Sequence, residues 1–398
     1  MGKFRDMAVQ ALDAGEYGKA FEYAQKALAR DQYDMDALNT AAIAATHLGE
    51  YHRAVALYEQ ALTIQGETPE VYYNLGLLHE KMGDYKGAIK IYREALALTP
   101  DSAEIYLSLA DALGETGQTD VAIAAYDESL RIEPDNPDAI FNKAVTMNRA
   151  GRYQEAAEVF GRLLERYPDD PSIMEGKAFS LGHMGRHRES VALYERAASL
   201  QPNSPSIYYN MALTLEEIGR DEEALTFLDR ALDIAPDFPG AGMEKANILG
   251  DLGRDEEALA AYDREAARNP SDPMVYYNRG ISLSRLGREV EALSDFSRAV
   301  DLDPDNLDAQ NNKGNVLLSS GRFREALQCF ESIIAADKKN VTAHYNKACA
   351  LARLEDGKGA AAALKRAAQL DRRVVAQAAA DPDFDGVRTE PEFVKLFE

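Results

Sequence analysis

Residues 69–102 read PEVYYNLGLLHEKMGDYKGAIKIYREALALTPDS, and the placing of their small, aromatic and turn residues decides the fold. From Glu70 to Met82, and again from Lys86 to Leu98, apolar side chains recur at the three- and four-residue spacing of one helix face. Gly83 lies between the two runs and supplies the positive φ that ends a helix and opens a tight turn. Pro100 stops the second run, because it has no amide to donate and its predecessor is pushed out of the helical region. The stretch therefore predicts two antiparallel helices joined by a turn.

The same arrangement returns every 34 residues, counted from Met1. Position 8 is Ala8, Ala42, Gly76, Ala110, Ala144, Ala178, Ala212, Ala246, Gly280, Gly314 and Ala348 in turn. Position 20 is Ala in every repeat but one, where Ser190 stands. Position 15 is Gly from Gly15 to Gly321; in the last repeat Glu355 occupies it and Gly357 follows two residues later. Position 32 is Pro from Pro100 to Pro304. The small residues at 8 and 20 flank the turn, where antiparallel helices approach most closely and a larger side chain would force the axes apart. Neither helix can bury its apolar stripe alone, so the pairs must stack on one another as an all-α solenoid. Eleven repeats run from 1–34, 35–68 and 69–102 in unbroken steps to 341–374, and 375–398 is left as a capping segment. Its short run Val374–Ala380 and the apolar Phe384, Val387, Phe393, Leu396 and Phe397 are expected to cover the last repeat.

The third repeat carries Tyr72, Leu75, Gly76, Tyr85, Ala88, Tyr92, Ala95 and Pro100, and so resembles the tetratricopeptide repeat (TPR) family. The resemblance covers about residues 1–374 and implies a right-handed superhelix, with first helices lining a concave groove and second helices outside. The wording of later repeats, such as Tyr277-Asn278-Arg279-Gly280, is similar to multi-repeat proteins of archaea and bacteria.

Composition narrows the partners. No stretch approaches the ~18–20 consecutive apolar residues of a membrane span. The start, Met1 to Asp6, has neither an apolar signal core nor the Ser or Thr of a myristoylation site. Cys329 and Cys349 fall in different repeats without a CxxC and read as buried free thiols of a reducing cytoplasm. A net charge of −23 argues against nucleic acid and anionic membrane, which need a basic stripe, and would steer basic partners toward the chain.

A second rhythm runs inside the first. Positions 5–6 carry an aromatic and Asn in every other repeat: Tyr73-Asn74, Phe141-Asn142, Tyr209-Asn210, Tyr277-Asn278 and Tyr345-Asn346, each pair 68 residues from the last. In the family these positions face the groove, which nominates these ten residues, with Asn312 on an intervening repeat, as partner-binding. An Asn side chain offers both a donor and an acceptor to an extended peptide, and an aromatic face adds apolar area. The arrangement resembles the asparagine ladder of the O-linked N-acetylglucosamine transferases. In the competing reading, the aromatic packs between adjacent first helices and Asn accompanies it by ancestry.

The carboxylate clamp of chaperone-binding family members is not matched. Asn247 and Asn278 are in place, but Met243 and Asp308 hold its two Lys positions and Asn312 replaces its last base. The basic residues at position 7, Lys143, Lys177, Lys245, Arg279, Lys313 and Lys347, could line one wall or neutralise acids such as Glu175 and Glu244, and are read in preference as a solvated face.

Signals of chemistry are absorbed by the repeat. Asp381, Asp383, Asp385, Gly386 and Glu392 fit the calcium-loop formula, yet the helices that should flank such a loop are too short and Arg388 sits at its apolar place. His183 and His187 have ligand spacing, but Gly185 puts a turn between them. Gly15 to Lys19 is a repeat turn, and no phosphate-binding loop or other cofactor motif occurs. The 24 residues outside the repeats leave no room for a catalytic domain. The expected function is a non-catalytic scaffold that grips an extended or helical segment of another protein. The alternatives are a self-associating assembly protein, motivated by the array's length and its imperfect first repeat, and a separate targeting subunit of an enzyme.

Overall fold

The structure, a computed structural model, describes residues 2–66 and 68–396. The chain divides into two compact units, Met1–Pro202 and Asn203–Glu398. Within the first, helices pair as Lys3–Asp13 with Tyr17–Leu28, Met35–His47 with Tyr51–Gln65, Pro69–Lys81 with Tyr85–Leu98, Ala103–Glu115 with Thr119–Ile132, Pro137–Arg149 with Tyr153–Arg166, and Pro171–His183 with His187–Leu200. Within the second the pairs are Pro205–Glu216 with Asp221–Ile234, Ala241–Asp251 with Asp255–Arg268, Pro273–Arg285 with Glu289–Leu302, Leu307–Ser319 with Phe323–Ala336, and Val341–Arg353 with Gly357–Leu370. Among the described residues there is no strand. In each unit a second helix packs on its own first helix and on the first helix of the next pair, and clusters of buried Ala, Leu and aromatic side chains lie between them.

The helix boundaries follow the punctuation. Gly83, with φ +74°, is one of ten position-15 glycines in the left-handed region. The eleventh turn differs from the expectation. Glu355 itself adopts φ +62°, while Gly357 opens the next helix. Gly357 is small for another reason: a Cβ there would strike the Glu390 carboxylate of the terminal segment. Position 34 adds N-caps, with Asp34 accepting from Ala37 N at 3.1 Å and Asn340 from Ala343 N at 2.9 Å.

In three repeats a ring holds position 8 to glycine. Position 24 is a buried aromatic in most repeats, among them Tyr58, Tyr92, Tyr126, Phe160, Phe296 and Phe330. A Cβ on Gly280 would lie 2.8 Å from Phe296 Cε1, and one on Gly314 would lie 2.6 Å from Phe330 Cε1. Gly76 is pressed still closer to Tyr92. The ring fills the space between first and second helix, and glycine lets the backbone approach its face.

After Leu370 the chain turns into the helix Arg373–Ala380, a 3-10 turn Pro382–Phe384 and a short helix Pro391–Val394. Val374, Ala378, Phe384, Val387 and Phe393 are buried against the last helix pair, as a cap requires. Leu396 packs on the same cluster, and Phe397 lies outside the described residues. The loop carboxylates serve this cap. Asp381 accepts from Asp383 N at 3.0 Å and from the Tyr345 hydroxyl at 2.6 Å. Asp383 pairs with Arg353 at 2.9 Å, and Asp385 with Arg388 at 2.8 Å. Arg388 in turn donates to the Asp381 carbonyl at 2.7 Å, which explains a cation where a calcium loop would hold an apolar side chain.

Candidate functional site

The nominated residues lie on first helices, and consecutive first helices touch throughout the first unit and, in the second, between Ala241–Asp251 and Pro273–Arg285 and between Leu307–Ser319 and Val341–Arg353. In the first unit, Asn74 Nδ2 donates to Asn39 Oδ1 of the preceding first helix at 3.1 Å. Asn142 Nδ2 donates to Asp111 Oδ1 at 3.1 Å. In the second unit, Asn278 donates to Asn247 Oδ1 at 3.0 Å, and Asn346 donates to Asn311 Oδ1 at 3.0 Å and Asn315 Oδ1 at 2.9 Å. These asparagines are half-buried. Each bond ties one repeat to the one before it.

Three of the five asparagines share one kind of acceptor. Asp111, Asn247 and Asn315 stand at position 9 of alternate repeats, 31 residues before the Asn that each receives. Asp111 Oδ1 also accepts the Tyr126 hydroxyl, and Asn247 Oδ1 accepts that of Tyr262 at 2.9 Å. One oxygen thus joins a buried tyrosine of its own repeat to the amide of the next. Asn247 and Asn278, the two clamp positions that the sequence fills, are joined to each other in this way.

The aromatics are placed less uniformly. Tyr73 is half-buried, tilts against Tyr92 with centroids 6.0 Å apart, and donates its hydroxyl to Glu104 Oε1 at 2.9 Å. Burial, with the Glu104 carboxylate adding to it, pushes the Tyr73 hydroxyl up to about 12. Phe141 meets Phe160 edge-on at 5.7 Å, and Tyr277 tilts against Phe296 at 6.2 Å, near Asn312. Tyr209 packs on Phe238 at 5.3 Å, with its hydroxyl over Gly240, where a Cβ would come within 2.9 Å of it. Tyr345 departs from the row: it is buried under Phe384 and bonded to the cap through Asp381. Asn210 lies half-buried on the helix Pro205–Glu216.

Two carboxyls on first helices stand out. Burial pushes Glu80 up to about 7. Burial, reinforced by the neighbouring Glu244 carboxyl, pushes Glu216 up to about 7 as well. Both would be partly protonated at neutral pH and able to donate as well as accept.

The other sequence signals are structural. His183 ends one helix and stacks on Tyr153 at 4.6 Å, while His187 begins the next. Cys349 is buried, Cys329 only half-buried, and burial raises both thiols. Cys349 with Asp381 and Asp383 forms the one cluster among the described residues whose ligand atoms fall within 4.8 Å, and both carboxylates are held by Tyr345 and Arg353. Among the described residues no helix is long and apolar enough to cross a membrane.

Comparison with known proteins adds the decisive observation. One model of the tetratricopeptide repeat matches residues 73–137, 107–171, 243–306 and 311–375, and another matches 33–101 and 169–237. The chain belongs to the tetratricopeptide repeat family. The TPR fold is typical of protein–protein interaction, and the family is generally a non-catalytic scaffold. A TPR protein from Parabacteroides merdae superposes with a TM-score of 0.51 at 17% identity, over 62% of this chain and 98% of that one. MamA of Desulfovibrio magneticus, from residue 41 to its end, gives 0.41 at 20% identity over 43% of this chain and 96% of that one. YrrB, described as a TPR protein with an unusual peptide-binding site, gives 0.42 at 22% identity over 47% of this chain and 96% of that one. At these identities the likeness concerns the TPR fold alone. No curated protein matches the chain significantly.

Proposed function

We propose that this TPR chain is a non-catalytic scaffold of eleven repeats and a terminal cap, working in the cytoplasm, whose first-helix face holds an extended segment of a partner polypeptide. The observation that carries the reading is the fixed direction of the asparagine amides. In Asn74, Asn142 and Asn278 one N–H is committed to the preceding helix, which orients the second N–H and the carbonyl oxygen of the same planar group. Groups held in place before a ligand arrives lose little rotamer entropy when it binds. Half-buried Tyr73, Phe141, Tyr209 and Tyr277 lie beside them and offer apolar area. Such a surface reads main chain and shape, while the charge of −23 favours basic segments among those that fit.

The test is capture of polypeptides from native lysate by wild type and by the triple variant Asn142→Ala, Asn210→Ala, Asn278→Ala, with thermal unfolding as a check on folding. The reading expects the captured polypeptides to be lost while the melting transition stays cooperative. Undiminished capture by the folded triple variant would remove the asparagines from the binding surface.

A further inference from the structure

The position-7 cations are not a uniform solvated row. Four of the six meet a carboxylate on the second helix sixteen residues earlier: Lys143 with Asp127, Lys245 with Asp229, Arg279 with Asp263 at 2.7 Å, and Lys347 with Glu331 at 2.7 Å. In the other two repeats that acid is missing. Gly161 stands opposite Lys177, and Ser297 stands opposite Lys313. Each of these two lysines is half-buried in a crevice between consecutive second helices.

The crevices differ in what surrounds the ammonium. At Lys177 the walls carry Glu158, Glu165 and Glu189, so negative charge is already at hand. The Lys313 crevice, about 560 Å³, contains a single carboxylate, Glu325, and Arg322 grips both of its oxygens at 2.8 and 2.6 Å. The rest of its wall includes the Ser294 and Ser297 hydroxyls and the aliphatic Val290 and Leu293. Val290 is 85% exposed, more than any other large apolar side chain among the described residues. A half-buried cation without its own acid, beside exposed aliphatic surface, is thus complementary to one negative charge on an apolar carrier.

We propose that the crevice between the helices Glu289–Leu302 and Phe323–Ala336 docks a Glu or Asp side chain of a partner polypeptide, its carboxylate on Lys313 and its aliphatic neighbours on Val290 and Leu293. Charge complementarity selects this occupant. One ammonium matches one carboxylate, since the other cation of the crevice is already neutralised by Glu325. A phosphate ester would bring about two charges to one available cation on a chain of net charge −23. The docked side chain supplies from outside the acid that Asp229 supplies to Lys245 from within.

The probes are fluorescein-labelled nonapeptides with a central Glu flanked by Leu and Val, and the same peptides with Gln at the centre, titrated with the full chain by fluorescence polarisation. The Glu peptides are expected to bind at least about tenfold more tightly than the Gln peptides, the gap expected for one charge-assisted hydrogen bond. Ser297→Asp, which rebuilds the internal pair, is expected to abolish that preference and to raise the melting temperature. Ala124→Asp, which adds the same charge to a different exposed second-helix site, should leave the preference intact. Equal binding of Glu and Gln peptides, absence of binding up to millimolar peptide, or a preference that survives Ser297→Asp would overturn the proposal. Displacement of the Glu peptide by inorganic phosphate more strongly than by acetate would also overturn it and assign the crevice to phosphate.

Discussion

Asn142 donates to Asp111 Oδ1 at 3.1 Å, and the same oxygen accepts the hydroxyl of the buried Tyr126. Two consecutive repeats therefore meet at one acceptor, with burial holding the Asp111 carboxyl above its usual range. Asp111→Leu would leave the Tyr126 hydroxyl and the Asn142 amide without their partner, at a cost of about 1–3 kcal/mol for each group that stays dry. Asp111→Asn keeps an acceptor oxygen, as Asn247 does for Tyr262 and Asn278, and should cost less than about 1 kcal/mol. Urea unfolding of the two variants separates them; equal losses would mean that the acceptor does not hold the repeats together.

The Tyr92 ring holds position 8 of its own repeat to glycine. Gly76→Ala should destabilise the chain by about 1–3 kcal/mol, because its Cβ intrudes on the Tyr92 ring. Tyr92→Leu should largely relieve that clash, because it removes the ring atoms that the Cβ would meet. A double-mutant cycle on melting temperature checks the coupling, and additive losses would show that the ring is not the obstacle.

The eleventh turn is strained where the other ten are not. Glu355 holds φ +62° without the freedom of glycine, so Glu355→Gly should stabilise the last repeat by about 1 kcal/mol. Gly357→Ala should do the opposite, because its Cβ meets Glu390 of the cap. Hydrogen exchange in the helix Gly357–Leu370 reports both effects.

Glu216 and Glu80 have folded values near 7, above the ordinary carboxylate range. A raised carboxyl binds more protons in the folded chain, so its contribution is fully present below about pH 4.5 and is lost as pH rises through about 7. The melting temperature of wild type should fall between pH 5 and pH 8. Glu216→Gln and Glu80→Gln should each flatten that fall and exceed wild type above pH 7. Parallel curves for wild type and variants would contradict the assignment.

Much of this fold was legible because its punctuation is chemical. Gly83 and Pro100 act through backbone conformation alone, so their effect survives any tertiary context. The burial of the segment after Leu370 was legible from Phe384 and Phe393, apolar residues with no place in the period. The site was less so. Asp111 and Asn315 carry no sequence signal of their own, and Asn247 only that of an unfilled clamp, because their partners sit 31 residues away and become neighbours only when first helices abut. The 31-residue spacing of Asp111, Asn247 and Asn315 from their asparagines was present in the sequence, but it needed the packing to be read as pairing. Tyr345 fits the aromatic row by register and still belongs to the cap, since the terminal segment closes over it. The position-7 cations read as a solvated face because the acids sixteen residues before Lys143, Lys245, Arg279 and Lys347 lie on the second helix of the preceding repeat.

The central claim, that the first-helix face holds a polypeptide, is tested most directly by photo-crosslinking. The probe p-benzoylphenylalanine is placed at Ser108 or at Asn312 on first helices, and at Val121 or Ala124 on an exposed second-helix face, and each protein is irradiated in native lysate. The account predicts discrete polypeptide adducts from Ser108 and Asn312 and none above background from Val121 and Ala124. Adducts confined to the second-helix positions would contradict it.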